Sequence, residues 1–444
     1  MPTFRYLAGL PALLLLAGTA IAAADRPLTL DQALGIANER NRSIARAMEF
    51  RNQAEGFYVA ERAAALPRFT IKGNYAREKD EALGLPEYDR SETSLQLDQA
   101  LFTWGQVRAA IRAASLGMQT ADERLRASRQ NALRDTAATF FDILFARELN
   151  GVFTQTLELK RRRLDEARKR NTVGLATDYD VLVAEVAETN ARPEVVRTDN
   201  LVRTRRDRLR LILGIDQPVD AVGELNVTLA EPPGFESAMA TARTRRPELL
   251  DLKYRIGIAE ELVTIARAGD KPRLDLAGNY GWKDLEGDNT DLYGEKWDVG
   301  LKLSWPIFDG LRSSGKVQQA RSEVEALRID ERQLLDSIGL EIREALDRVR
   351  VASELVRALE GTVTQAEKLV RLSEKGFEYG VKIRLEVDDA EVNLRQSRSS
   401  LALARRDYLV AMTDLALAMG ILGEESFPGL PVPPVAMSPK NKQE

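Results

Sequence analysis

The 444-residue sequence contains no cysteine and no histidine. These two absences exclude disulfides, thiolate nucleophiles, Cys/His zinc sites and imidazole base catalysis. Only carboxylate, lysine, tyrosine and hydroxyl chemistry remains, and no phosphate-binding glycine loop or catalytic triad emerges from it. A hydrolase that uses carboxylates alone is an open alternative, but no cleft motif supports it. We therefore expect a protein that is not an enzyme and that has no catalytic residues, no metal site and no cofactor.

A strong excess of one charge sign is absent as well. There are 64 Lys and Arg residues against 68 Asp and Glu residues, which gives a formal net charge of -4. Such a balance produces no field that would indicate nucleic-acid binding. The arginine-rich segments, of which Arg161-Arg162-Arg163 is the clearest, are interpreted as solvated helix faces.

The one long apolar run stands near the N-terminus. Arg5 precedes the run Leu7–Ala20, and small-residue cleavage patterns end at Ala22 and Ala24. This arrangement predicts a signal peptide over residues 1–24 and export of the remainder, since the run is short for the alternative, a membrane anchor. Because no later run reaches about eighteen apolar residues, insertion into a membrane would require β-strands.

The sequence repeats itself at an offset of 206 residues. Phe308 lies 206 positions after Phe102 in similar segments, and Gly380 lies 206 positions after Gly174. Because the offset holds over most of the chain, we interpret the sequence as a tandem duplication. The predicted units are a first repeat over residues 25–215, an inter-repeat linker over 216–234, a second repeat over 235–421 and a proline-rich, disordered tail over 422–444.

Each repeat contains two segments in which apolar and polar residues alternate, as in half-buried strands of about 10 residues. The clearest apolar faces are Phe69, Ile71 and Tyr75; Leu274, Leu276, Tyr280 and Trp282; and Trp297, Val299, Leu301 and Leu303. A soluble β-sandwich is one interpretation. Export, strand length and aromatic residues near the strand ends favour a transmembrane barrel. Four strands are too few to close a barrel, so several chains would have to share one.

Apolar residues at spacings of three and four predict two very long helices, Val107–Asn171 and Leu311–Phe377. At about 1.5 Å per residue each would be roughly 100 Å long. The shorter predicted helices, Leu30–Ala65 and Ala176–Leu213, would reach about half of that length. Short helices stacked end to end beside a long one predict an elongated bundle. Within the linker, Leu225–Leu229 is interpreted as a short strand.

Several motifs occur in an order that resembles the TolC-type outer-membrane efflux and secretion channels. They are Leu28-Thr-Leu-Asp-Gln-Ala33, Leu66-Pro-Arg-Phe69, Gly300-Leu-Lys-Leu-Ser-Trp-Pro-Ile-Phe-Asp-Gly310, Tyr379-Gly380, Leu385-Glu-Val-Asp-Asp-Ala390 and Ala418-Met-Gly420. The likeness spans about residues 30–421. It implies a mostly α fold with a transmembrane β-barrel, in which a homotrimer contributes four strands per chain and the helices form a long periplasmic tunnel.

The resemblance also implies a function and partners. The chain would lie in the outer membrane of a Gram-negative bacterium and extend into the periplasm. It would be the passive exit duct of a tripartite efflux pump or type I secretion system, working with a periplasmic adaptor and an inner-membrane pump or ABC exporter. The alternative is a soluble periplasmic coiled-coil adaptor or scaffold without a pore, which would need one helical hairpin flanked by small β domains.

The resemblance places a periplasmic gate at the turns between the long and the shorter helices. The residues that match are Asp180 in the first repeat and Phe377, Lys382, Glu386 and Asp389 in the second, with Gly174 and Gly380 as turn glycines that face the adaptor. We expect attraction between Asp180 and Lys382 to help close the entrance. Three copies of the acids would form rings like those of cation channels, although acids in a first helical turn also suit the helix dipole.

Overall fold

The computed structural model describes residues 26–80, 85–287, 290–424 and 431–432. The predicted signal peptide and most of the predicted tail lie outside the described residues. The prediction of a disordered tail is wrong at its described positions, because Leu422 and Val432 are buried in the main core. In the first half the elements are β1 (Arg26–Leu28), α1 (Leu30–Arg40), α2 (Arg42–Ala63), β2 (Arg68–Asp80), β3 (Leu85–Phe102), α3 (Gln106–Thr172) and α4 (Asp178–Leu213). They are followed by β4 (Val219–Ala221), α5 (Phe235–Arg245), α6 (Pro247–Arg267), β5 (Arg273–Gly287), β6 (Thr290–Ser304), α7 (Arg312–Glu378) and α8 (Arg384–Ala418).

The two long helices, α3 and α7, have 67 residues each and agree with the predicted bounds within one residue. Each follows a pair of strands, and each begins after a residue in the left-handed conformation, Gly105 before α3 and Leu311 before α7. At about 1.5 Å per residue each helix extends roughly 100 Å away from the strands. This length separates the sheet from the turns at the far helix ends.

The shorter helices stack end to end beside the long ones, but the predicted helix Leu30–Ala65 is divided in two. Asn41 interrupts it because its side-chain oxygen accepts from the amides of Ser43 and Ile44, at 2.8 and 3.3 Å, and so caps a new helix. In the second half Pro247 begins α6, and the residue before a proline disfavours helical backbone. Among the helices of the described ranges, none combines the length and hydropathy that a membrane-spanning helix requires.

The four long strands form one antiparallel sheet in the order β2-β3-β5-β6. They have 13, 18, 15 and 15 residues, so they are longer than the predicted 10. The register places apolar residues in columns across the sheet, because directly paired residues lie on the same side. One column is Ile71, Leu95, Tyr280 and Trp297, and the neighbouring column on the other side is Thr70, Gln96, Asn279 and Asp298. The alternation predicted from the sequence thus gives one apolar and one polar face.

The prediction of a short strand at Leu225–Leu229 in the linker was wrong. Residues 225–229 belong to no strand, whereas β4 pairs in parallel with β1, with Pro27 opposite Asp220. Asp220 also accepts from Arg147 and from Arg206, which ties β4 to α3 and α4. Leu225 is instead buried in the main core, because this segment covers the middle of the helical bundle.

The helices form two antiparallel hairpins beyond that core. In the first hairpin α3 packs on α4, and in the second α7 packs on α8, which also contacts α3. Beside the sheet, α2 and α6 take the places of α4 and α8 along α3. The main core joins the two halves through buried residues such as Phe140 and Phe141 on α3 and Tyr408 and Leu415 on α8. The hairpin turns therefore lie at the end of the molecule away from the sheet.

Candidate functional site at the hairpin turns

Each hairpin turn is closed by a glycine with positive φ. Gly174 follows α3 with φ of 75°, and Gly380 follows α7 with φ of 72°. In the first turn the amide of Leu175 donates to the carbonyl of Arg170 at 2.8 Å, and the equivalent bond in the second turn is also 2.8 Å. A side chain at either position would strain this left-handed closure of a helix end. The structure thus places both predicted turn glycines at sharp reversals of the chain.

The first turn is held by a capping box at the start of α4. The carboxylate of Asp180 accepts from the amide of Thr177 at 2.9 Å and from its hydroxyl at 2.8 Å. The Thr177 hydroxyl in return accepts from the amide of Asp180 at 3.2 Å. These bonds favour the charged carboxylate and lower the pKa of Asp180 below its usual value.

The second turn has a different arrangement at the start of α8. Lys382 Nζ lies 2.9 Å from the carboxylate of Glu386, which also accepts from the amide of Ile383 at 3.1 Å. The bond from Lys382, followed by the backbone bond, lowers the pKa of Glu386. Asp389, one turn further along α8, is exposed. The structure therefore brings Lys382 and Glu386 together.

The predicted attraction between Asp180 and Lys382 is not a contact within the described part of the chain. Each of the two side chains has a partner in its own turn, Thr177 for Asp180 and Glu386 for Lys382. Phe377, the aromatic residue of the predicted gate, is 39% exposed. The guanidinium of Arg384 lies 5.4 Å from the centre of its ring, a cation–π distance.

The turns also expose apolar side chains that the site prediction did not include. They are Val173, Leu175 and Tyr179 in the first turn and Tyr379, Val381, Ile383 and Leu385 in the second, each more than 60% exposed. Contiguous exposed apolar residues mark surfaces that bind other molecules. The signal in the sequence was apolar residues on both sides of a turn glycine, where polar residues are usual. Within the described ranges, His, Cys, Asp and Glu form no group of three or more that could hold a metal ion.

Comparison with known proteins agrees with this geometry. The family described as "Outer membrane efflux protein" matches residues 33–215 and 238–421. The chain is 25% identical to the outer membrane protein TolC of Escherichia coli, over 86% of this chain and 80% of that protein. It is 26% identical to the alkaline protease secretion protein AprF of Pseudomonas aeruginosa, over 88% of this chain and 84% of that protein.

A solved structure shares the fold. The Campylobacter jejuni CmeC outer membrane channel superposes with a TM-score of 0.77 at 17% identity, over 88% of this chain and 85% of that chain. The family match covers both halves and continues through the long helices, the strands and the hairpin turns. The chain therefore belongs to the outer membrane efflux protein family, and it is an outer-membrane channel of the efflux and secretion type.

Proposed function

We propose that three copies of this chain form one continuous duct, with a shared twelve-stranded barrel in the outer membrane and a helical tunnel in the periplasm. The observation that carries this proposal is the open four-stranded sheet with one apolar face. Its outer strands, β2 and β6, each pair with one neighbour in the described residues. Unpaired strand edges leave unsatisfied amides in lipid, and pairing β6 of one copy with β2 of the next would satisfy them.

The duct is the exit path of a tripartite efflux pump or type I secretion system and performs no catalytic step. Its relatives carry names from secretion as well as from efflux, among them AprF, so the cargo is either small molecules or proteins. The energy comes from an inner-membrane pump or ABC exporter. A periplasmic adaptor binds the apolar hairpin turns, with Gly174 and Gly380 shaping the surface that it contacts.

The gate lies at the same turns. Three copies of Glu386 and Asp389 form acidic rings at the entrance, while Asp180, Lys382 and Phe377 set the geometry of the closed turns. The local partners of Asp180 and Lys382 make each turn a rigid unit, so opening moves whole hairpins rather than single side chains. Residues 1–24 are a signal peptide that is removed on export, and the two repeats extend over residues 25–215 and 235–421.

The experiment is a mass measurement on the protein purified from membranes. Light scattering in detergent, corrected for bound detergent, should give three times the mass of the mature chain, that is, of the 49.4 kDa chain without its proposed signal peptide. Fractionation tests the alternative scaffold, because a scaffold without a pore would be recovered in the soluble periplasm. A stable monomer that keeps its β structure in detergent would overturn the shared barrel.

A further inference from the structure

The polar face of the four-stranded sheet carries four lysines, Lys72 on β2, Lys283 on β5, and Lys296 and Lys302 on β6. They share this face because the antiparallel pairing continues the alternation of each strand across the sheet. In the part of the chain that the structure describes, none of the four makes an ion pair or a side-chain hydrogen bond. Their ammonium groups are therefore available to other molecules.

The arginines of the same face, in contrast, are occupied by carboxylates. The ion pairs are Arg68 with Asp98 at 3.7 Å, Arg273 with Asp275 at 2.9 Å, and Arg90 with Glu92 at 2.8 Å and with Glu78 at 3.6 Å. Because the arginines hold these carboxylates, the lysines are left without a fixed counter-charge close to them.

Three of the lysines lie together in the middle of the sheet; we call Lys72, Lys283 and Lys296 the lysine belt. Lys72 and Lys296 stand at the two ends of one row of paired residues, with only Ser94 and Gly281 between them. Lys283 is diagonal to Lys296 on the neighbouring strand, a separation of about 7–8 Å. Lys72 and Lys296 are exposed and Lys283 is half-buried, so the small residues of the row leave the ammonium groups uncovered.

The carboxylates nearest to the belt do not neutralise it. Glu92 is directly opposite Lys283 across the pairing of β3 with β5, but its carboxylate accepts from Arg90. Asp298 is two residues from Lys296 on β6, and its Oδ1 lies 3.5 Å from the side-chain nitrogen of Asn279. The belt therefore keeps an excess of positive charge in each copy.

The proposed barrel would concentrate this charge in its passage. The apolar face of the sheet is turned to lipid there, so the polar face lines the lumen, and three copies bring nine belt lysines into one section. Walls of low dielectric around a narrow passage strengthen the field of such charges. A lysine ammonium binds a phosphate or a carboxylate as a point charge, without the fixed geometry that arginine requires.

We infer that the lysine belt is an anion-binding section of the passage, which takes up the phosphate or carboxylate groups of cargo on the way out. This inference rests on the proposed duct and adds a cargo chemistry to it. It also gives the two ends of the duct opposite preferences, because the proposed acidic rings of Glu386 and Asp389 lie at the far end of the long helices and favour cations.

The test is block of single-channel current in planar bilayers by inorganic tripolyphosphate, added on the side of the barrel. The variant is Lys72→Gln with Lys283→Gln and Lys296→Gln, which keeps the face polar and removes the three charges. We expect the half-blocking concentration to rise at least tenfold and the reversal potential in a salt gradient to shift toward stronger cation selectivity. Arginine at the same three positions keeps the charges and should preserve the block.

A pair of single substitutions provides the matched control. Lys296→Gln removes a belt lysine, whereas Lys302→Gln makes the same change on the same strand and face, about 20 Å away. We expect Lys296→Gln to weaken the block more than Lys302→Gln does, because Lys302 has no second unpaired lysine within reach. Equal effects of the two changes, or a triple glutamine variant blocked like the wild type, would overturn the inference.

Calorimetric titration of the detergent-purified protein with tripolyphosphate separates this failure from failure of the proposed duct. The wild type should release heat on binding, and the triple glutamine variant should lose that signal. If the wild type forms no channels, the duct is wrong, and the titration alone decides whether the lysines bind anions. Equal heats in the wild type and the triple glutamine variant would contradict an anion site at the belt.

Discussion

The two hairpins have the same backbone plan, yet their turns are held by different chemistry. Both long helices have 67 residues and end at a glycine with positive φ. In the first repeat Thr177 caps α4 and is bonded to Asp180, so the contacts stay inside the turn. In the second repeat Ile383 occupies the equivalent cap position and has no side-chain acceptor. The carboxylate of Glu386 instead accepts from the amide of Ile383 and from Lys382. Arg384 in turn contacts Asp388.

The difference shows which features the duplication has kept and which have diverged. Backbone geometry at the turn glycines is common to both repeats because glycine closes such a turn without the strain that a side chain adds. Side-chain contacts differ, and in the part of the chain that the structure describes only the second turn is linked through Arg384 and Asp388 to the other hairpin. We therefore expect the first turn to be the more autonomous unit and the second to depend on its neighbour.

The largest expected effect tests whether the two repeats are equivalent in the sheet. Leu95 and Leu301 are 206 positions apart and both belong to the apolar face. Leu95→Arg and Leu301→Arg should each destabilise the membrane-inserted protein by about 2–4 kcal/mol if these side chains face lipid near the midplane. Gln96→Arg, on the polar face beside Leu95, is the control. Denaturant unfolding from lipid vesicles measures all three, and equal tolerance of Leu95→Arg and Gln96→Arg would contradict the register.

A smaller difference in stability is expected between substitutions at the two helix caps, Thr177 of α4 and Ile383 of α8. Thr177→Ala should cost the start of α4 about 1 kcal/mol, because it removes the acceptor of the capping box. Ile383→Ala should have little effect on α8, because Ile383 accepts no capping bond through its side chain. Hydrogen exchange of the backbone amides at the start of α4 and at the start of α8 measures both effects. Similar acceleration in the two turns would show that the caps are equivalent after all.

A smaller effect concerns the charges at the entrance. Glu386→Gln with Asp389→Asn should shift the reversal potential toward weaker cation selectivity, since three copies of each acid line the proposed constriction. Asp180→Asn in the first turn is the comparison and should change selectivity less, because its carboxylate is used by the capping box. The reversal potential in a salt gradient gives the result. An unchanged value in the double variant would place Glu386 and Asp389 outside the constriction.

The smallest effect is the response of the turns to acid. The pKa values of Asp180 and Glu386 are lowered in the folded chain. Their stabilising bonds are therefore complete above the ordinary carboxyl pKa and are lost as pH falls through the lowered folded values, below about pH 4. Hydrogen exchange of the backbone amides at the start of α4 and of α8, corrected for intrinsic rates, should accelerate only in that pH range. Asp180→Asn should remove the pH response in the first turn while the second keeps its own.

The sequence predicted the long helices within one residue because their apolar spacing continues for 67 residues without a proline. The strand faces followed from alternation, and the antiparallel register confirmed them. The break at Asn41 was missed because its side chain also donates to the carbonyl of Ile212, a bond between residues 171 positions apart. The pairing of β1 with β4 was missed for a different reason, because three-residue strands carry almost no periodic signal.

The site was predicted less completely than the fold. Gly174 and Gly380 could be placed in turns because glycine adopts the left-handed conformation without the strain that a side chain adds. The resemblance led us to expect that Asp180 attracts Lys382. Each side chain instead has a partner in its own turn, because a carboxylate three residues after a threonine completes the local capping box, and Glu386 lies four residues after Lys382. The interpretation of Arg163 as part of a solvated helix face was wrong, because Arg163 pairs with Asp388 and Glu391 and is largely buried. These pairs were missed because charged residues on a helix are usually exposed, and only the packing of α8 on α3 buries Arg163 and Glu391.

Cross-linking of the sheet edges tests the central claim, a barrel shared by three chains, most directly. Ile71→Cys on β2 is combined with a cysteine at successive positions from 297 to 303 on β6, in a chain that has no other cysteine. Within one chain these edge strands are separated by three strand spacings, roughly 14 Å, which is beyond the reach of a disulfide. The account predicts that oxidation of membrane-inserted protein at the correct register gives a covalent ladder that ends at three chains. A ladder that ends at two chains, or no cross-link at any position, would contradict it.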